Sequence, residues 1–271
     1  MKKVFIKTVV LLVIVLIIIV SSCKKSYSGH YNHTPATGAT GPAGPSLTGN
    51  LEGVLFLYDD GGNKILSATA LTCDTIMLIN NSSGAVLTTT TSSTGSYTFT
   101  GISTGTYSMT AMKHGYGTVN AYGIQFAGGG NDYKNFSLAQ IPTNSVTTIS
   151  VSTSTAGIIV TGTAPANVGL GSLATSDIIV YVSLPNNTSV SSVPSNYSVY
   201  STCAINSSNT TFNCSFTTTN LNQLGFTSGN TVYFAAYVVG LNGSSYTDPA
   251  TGLTVFTALS STPVTTFCNV P

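Results

Sequence analysis

From Leu47 onward the apolar residues of this chain come in short runs that alternate with hydroxyls, and this pattern limits the fold more than any other feature. Ser96-Tyr97-Thr98-Phe99 and Thr106-Tyr107-Ser108-Met109 each put two large apolar side chains on one side and two hydroxyls on the other, the period of a strand with one buried face. Val54 to Tyr58, Thr75 to Ile79 and Ala85 to Thr90 are further strands, separated by the turn clusters Asp59-Asp60-Gly61-Gly62-Asn63 and Asn80-Asn81-Ser82-Ser83-Gly84. A second series starts near Pro142: Val146 to Val151, Gly157 to Thr161, Ile178 to Val182, Tyr197 to Thr202, Thr211 to Phe216, Thr231 to Val239 and Leu253 to Ala258. Seven strands in about 130 residues predict another sandwich. The expected fold is all-β, with two antiparallel β-sandwich domains in tandem over 47–140 and 141–271, behind a leading segment (1–22) and a flexible linker (23–46).

The leading segment has Lys2 and Lys3, an apolar run from Val9 to Val20, and then Ser21-Ser22-Cys23-Lys24-Lys25. As a helix the run spans about 18 Å, short of the roughly 30 Å of a hydrocarbon core. A basic head, a short apolar middle and small residues before a cysteine resemble a bacterial lipoprotein signal peptide with its lipobox. The resemblance implies a mature chain that begins at Cys23, carries diacylglyceryl and N-acyl (palmitate-type) chains, and is anchored in the outer membrane on the cell-surface or periplasmic face. An uncleaved anchor helix lengthened by Phe5 and Ile6 is the alternative, and it also puts the remaining chain outside the cytoplasm.

Lys24 to Leu47 has no hydrophobic period and is a tether. Its triplets Gly38-Ala39-Thr40, Gly41-Pro42-Ala43 and Gly44-Pro45-Ser46 resemble a scrap of collagen, too short for a triple helix on its own. His30 and His33 have the spacing of a metal pair but no fixed third ligand, so no metal and no cofactor are expected.

Composition fits an exported chain and excludes a nucleic-acid partner. Beyond Cys23, five lysines and no arginine face seven carboxylates, for a net charge of about −2, so no basic patch can form. Charged residues are 6% of the chain while hydrophobic residues are 42%, enough for packed cores wrapped in hydroxyls.

Thr94-Gly95-Ser96-Tyr97-Thr98-Phe99-Thr100-Gly101, then Gly105-Thr106-Tyr107, then Lys113-His114-Gly115-Tyr116, resembles the carboxypeptidase regulatory-like domain, with Gly53 to Gly62 as its early strand and glycine-bearing turn. The resemblance implies a seven-stranded transthyretin-like sandwich without an activity of its own, interrupted by an insertion at Leu66 to Leu71. Leu224 to Ala236 resembles the tyrosine-bearing F strand of fibronectin type III domains. Asn242 to Tyr246 would then be the following loop, and Leu253 to Phe256 the G strand.

With Cys23 assigned to lipid, four cysteines remain. Cys203 and Cys214 flank the turn-rich Asn206-Ser207-Ser208-Asn209, and adjacent antiparallel strands would set them opposite one another as a disulfide. Cys73 and Cys268 are either a second bridge clamping the two domains or two unpaired thiols.

Catalytic patterns are poorly represented. Gly101-Ile102-Ser103-Thr104-Gly105 matches Gly-x-Ser-x-Gly, yet a nucleophile elbow needs a helix after it and here a strand follows. His114 is the one histidine within a domain, and Glu52 is the one glutamate. Asp59-Asp60-Gly61-Gly62-Asn63 has calcium-ligand chemistry but is complete as a turn. Asp74-Thr75-Ile76 resembles a bacterial O-glycosylation acceptor. The chain therefore reads as a non-enzymatic, membrane-anchored lipoprotein, a structural, adhesive or docking module for a surface glycan or protein partner. The alternative is a glycan-binding accessory lipoprotein of a polysaccharide uptake system, stacking sugars on Tyr122, Tyr133, Tyr197 and Tyr246.

Overall fold

A computed structural model describes residues 47–72, 74–165, 177–183, 197–205 and 210–271; the signal segment, Cys23, the tether with His30 and His33, and Cys73 lie outside them. In chain order the first elements are β1 (Thr48–Tyr58), α1 (Ala68–Leu71), β2 (Thr75–Asn80), β3 (Val86–Thr90), β4 (Ser96–Ser103), β5 (Gly105–Met112), β6 (Val119–Phe126), β7 (Asn131–Tyr133) and β8 (Phe136–Ala139). One sheet has the order β3-β2-β5-β6. In the other, β1 pairs antiparallel with β4 on one side and parallel with β7 and then β8 on the other. The alternation read in the sequence sets the inner faces: Leu51, Leu55 and Leu57 from β1 meet Ile76, Leu78, Tyr97, Phe99, Tyr107 and Met109 in one core. Two buried tyrosines are satisfied at their tips, since Tyr97 donates its hydroxyl to the Lys134 carbonyl and Tyr107 to that of Ser103. The insertion at Leu66 to Leu71 ends in the short helix α1, whose Leu71 joins the core.

The remaining elements are β9 (Thr148–Ser154), β10 (Gly157–Thr163), β11 (Asp177–Ser183), β12 (Val199–Ala204), β13 (Thr211–Thr217), α2 (Thr218–Gln223), β14 (Thr231–Val239), β15 (Tyr246–Thr247), β16 (Thr254–Val255) and β17 (Val264–Asn269). Sheets of order β13-β10-β9 and β12-β11-β14-β17 enclose a second core, with Ile158, Val160, Val180, Phe226 and Phe234 almost fully buried. The outer face of the four-stranded sheet is buried as well. The chain between β14 and β17, with the small hairpin β15-β16, lies across it and packs Leu253, Phe256 and Leu259 on Ile179, Tyr181, Ala235 and Tyr237.

This arrangement corrects one expectation. Leu253 to Phe256 does not supply the G strand: Thr254 and Val255 pair only with β15, and the sheet edge after β14 is β17. The physical reason is the apolar outer face of β11 and β14, which needs cover that Leu253 and Phe256 provide.

Cys203 and Cys214 form a disulfide with Cα atoms 5.7 Å apart. The strands that carry them are not hydrogen-bonded neighbours, since β12 pairs with β11 and β13 with β10. The bridge is therefore a staple between the edges of two sheets and not a rung within a hairpin. Cys268 is a half-buried free thiol whose pKa is raised by burial.

The two packed bodies meet through close approaches of their backbones and one side-chain bond. Ser244 donates its amide to Ser137 and the Asn242 side chain donates to Gly62, each at 2.8 Å. A Cβ at Gly117 would sit 2.4 Å from the Thr257 carbonyl carbon, and one at Gly240 would sit 2.4 Å from the Gln140 oxygen, so glycine is required at both contacts. β1 begins at the opposite pole: eleven extended residues, about 33 Å, separate Thr48 from the Tyr58 end beside this junction.

Candidate functional site

The residues that sequence reasoning raised for catalysis are held in structural roles. Ser103 ends β4 and Gly105 starts β5, so the Gly-x-Ser-x-Gly run is a tight connection between two strands, with Ser103 paired to Thr48. The turn at Asp59 closes on itself, the Asp59 carboxylate accepting from the Asn63 amide at 2.7 Å and from the Asn63 side chain. Among the described residues no group of three or more His, Cys, Asp or Glu side chains is placed to hold a metal.

Among the described residues an ionic cluster forms where β2 begins beside the end of β5. Asp74 is 3% exposed, and its Oδ1 accepts from Lys113 Nζ at 2.5 Å. Lys113 also donates to the Ala70 carbonyl at 2.7 Å, while Asp74 Oδ2 has no hydrogen-bond partner among the described residues. Burial raises the Asp74 pKa, against the lowering by Lys113. The folded state therefore binds this proton more readily than the unfolded chain. The resulting stability is complete below the ordinary carboxylate range and is lost as pH rises through the raised value. His114 and Thr72 share the shallow cleft of about 320 Å³ here, but the ammonium is committed to a carbonyl and a carboxylate. The Asp74-Thr75-Ile76 motif lies in this wall, with Thr75 half-buried between Thr90 and Met112.

The four tyrosines nominated for stacking divide. Tyr197 is 7% exposed, within reach of Tyr181 and Tyr200, and donates to the Thr254 carbonyl at 2.8 Å, so it belongs to the covered face and not to a loop surface. Tyr133 is exposed on the short strand β7. Tyr122 and Tyr246 come from different packed bodies, and their ring centroids lie 6.0 Å apart at 61°. Tyr122 stands on a β-bulge: Tyr107 pairs with Ile124 and Met109 with Ala121, which leaves Tyr122 and Gly123 together opposite Ser108. Gly123 takes φ +67°, a conformation that favours glycine. A lone glycine inside the alternating run Val119 to Phe126 was the signal that could have located this bulge from sequence.

Comparison with known proteins gives limited company. No curated protein matches the chain in sequence. A DUF3823 family protein from Bacteroides ovatus is similar over 80% of this chain and 98% of its own, at 14% identity and a TM-score of 0.31. A DUF3823 family protein from Parabacteroides merdae is similar over 84% of this chain and all of its own, at 11% identity and a TM-score of 0.28. A tetra-tandem repeat in the extending region of a large adhesion protein is similar over 82% of this chain and 49% of its own, at 11% identity and a TM-score of 0.28. None of these likenesses is close enough to carry an assignment. Residues 71–139, about a quarter of the chain and the span that holds β2 to β8, match the model of the carboxypeptidase regulatory-like domain.

Proposed function

We propose that this chain is a lipid-anchored module outside the cytoplasm that holds a binding or adhesive surface at a set distance from a membrane. The observation that carries the reading is the junction, where two packed bodies meet through one backbone hydrogen bond, one side-chain-to-backbone bond and two glycine contacts that leave no room for side chains. Such a joint is stiff, as a spacer requires. The lipobox-like run ending at Cys23 supplies the anchor, and the pole at Thr48 receives the tether. The three-plus-four strand arrangement of the second body supports a fibronectin type III-like reading, and the match over residues 71–139 supports a non-catalytic role for the first.

Metabolic labelling with an alkyne fatty acid, followed by protease treatment of intact cells, tests this reading. The wild type is expected to take up label and stay with the membrane, while Cys23→Ala loses both. Retention of label and membrane association by Cys23→Ala would refute the anchor.

The second reading, a glycan-binding accessory lipoprotein, is favoured by one observation: a bulge presents Tyr122 to solvent beside Tyr246.

A further inference from the structure

The geometry points to a neutral-glycan subsite at the joint between the two bodies, formed by Tyr122 and Asn120 from β6 with Tyr246 and Asp248 from the hairpin that overhangs it. The inference rests on the glycan reading above and gives it a place and a ligand class.

Four features converge there. Two aromatic rings meet as a corner, 6.0 Å apart at 61°, and Tyr122 remains 44% exposed. Nothing lies within 4 Å of the position a Cβ would take at Gly123, so the bulge is open to solvent at the residue after Tyr122. The polar groups around the rings are fixed. Thr110 donates to Asn120 Oδ1 at 2.7 Å, which leaves the amide nitrogen of Asn120 as a donor for a ligand. The Tyr122 hydroxyl can both donate and accept. Asp248 Oδ1 accepts from the Ala250 amide at 2.8 Å, and its carboxylate is near enough to help raise the Tyr122 pKa, behind burial and Tyr246.

A ring face, a phenolic donor and a carboxylate acceptor are complementary to a pyranose, which offers an apolar C–H face and hydroxyls that both donate and accept. The charge carried by the hairpin itself, two residues beyond Tyr246, is the negative Asp248, and Lys113 is held by Asp74. An acidic sugar would face like-charge repulsion, so the subsite selects neutral polymers. Because each body contributes one ring, the site exists only when the joint is formed.

Affinity electrophoresis of the full chain in a polyoxyethylene detergent, through gels containing mixed-linkage β-glucan, galactomannan or polygalacturonate, tests this. Retardation is expected in at least one neutral gel and not in polygalacturonate. Tyr122→Ala and Tyr246→Ala should each weaken it at least tenfold, Asp248→Asn severalfold, and Phe267→Ala, at an exposed aromatic residue elsewhere, not at all. Thermal melting of each variant separates lost binding from lost folding. Neutral-glycan binding unchanged in folded Tyr122→Ala and Tyr246→Ala would overturn the subsite and leave the glycan reading standing. Migration unaffected by either neutral polymer would overturn both.

Discussion

Across the four-stranded sheet of the first body, one outward row runs Thr88, Met77, Thr110, Asn120, all of them at least partly exposed. The corresponding kind of row in the second body contains Tyr200, Tyr181, Ala235 and Thr265, and its two central residues are fully buried. The first sheet alternates hydroxyl and apolar residues and leaves one face wet. The second, in Ile178 to Val182 and Val232 to Val239, is apolar on both faces and uses the segment from Gly240 to Pro263 as a cover. Covering a face removes more apolar surface from water, roughly 1.5–3 kcal/mol for each large side chain fully buried. The cover also orders a long connection that would otherwise stay free, which offsets part of that gain. The second body adds the inter-sheet disulfide, which the described part of the first lacks.

The comparison can be broken by loading the second body alone. Phe234→Ala empties a fully buried site and is expected to cost about 3–5 kcal/mol. Hydrogen-exchange mass spectrometry should show lost protection in β11, β14 and β17 while β1, β2 and β5 keep theirs. Equal loss in both bodies would mean that the joint makes them one cooperative unit. Replacing Cys203 and Cys214 together by serine should lower stability by roughly 2–3 kcal/mol, read as a drop in calorimetric midpoint that dithiothreitol reproduces in the wild type. The smallest change has the opposite sign. Tyr181 is fully buried and its hydroxyl has no hydrogen-bond partner among the described residues, so Tyr181→Phe keeps the ring packing and sheds an uncompensated polar group. A gain of about 1 kcal/mol is expected; a loss of that size would show that the hydroxyl is satisfied in solution.

Much of the strand content was legible because one-faced burial prints a period of two. Tyr97, Phe99, Tyr107 and Met109 alternate with hydroxyls in the sequence and point inward in the fold. β7 and β8 were illegible for a different reason: they are short and parallel to β1, so their place depends on a partner some 80 residues away. The misplacement of the G strand has a similar origin. Leu253 to Ala258 carries strand-like residues, and only the need to cover Tyr181 and Tyr237 sends it outside the sheet. Tyr122 and Tyr246 were both named from sequence as exposed aromatics, but nothing in the local pattern could bring them together. Their meeting is a property of the joint.

The placement of β1 has a mechanical consequence. A pull applied between the Thr48 end and the linker after Ala139 enters at the start of β1 and leaves at the end of β8, its parallel neighbour. That direction slides the two strands along one another, so the hydrogen bonds from Leu55 to Tyr58 share the load instead of parting one at a time. On its other side β1 is also held along its length by β4. A body threaded this way resists being drawn out by tension along its axis, the property that a surface held against flow or a moving partner would call upon.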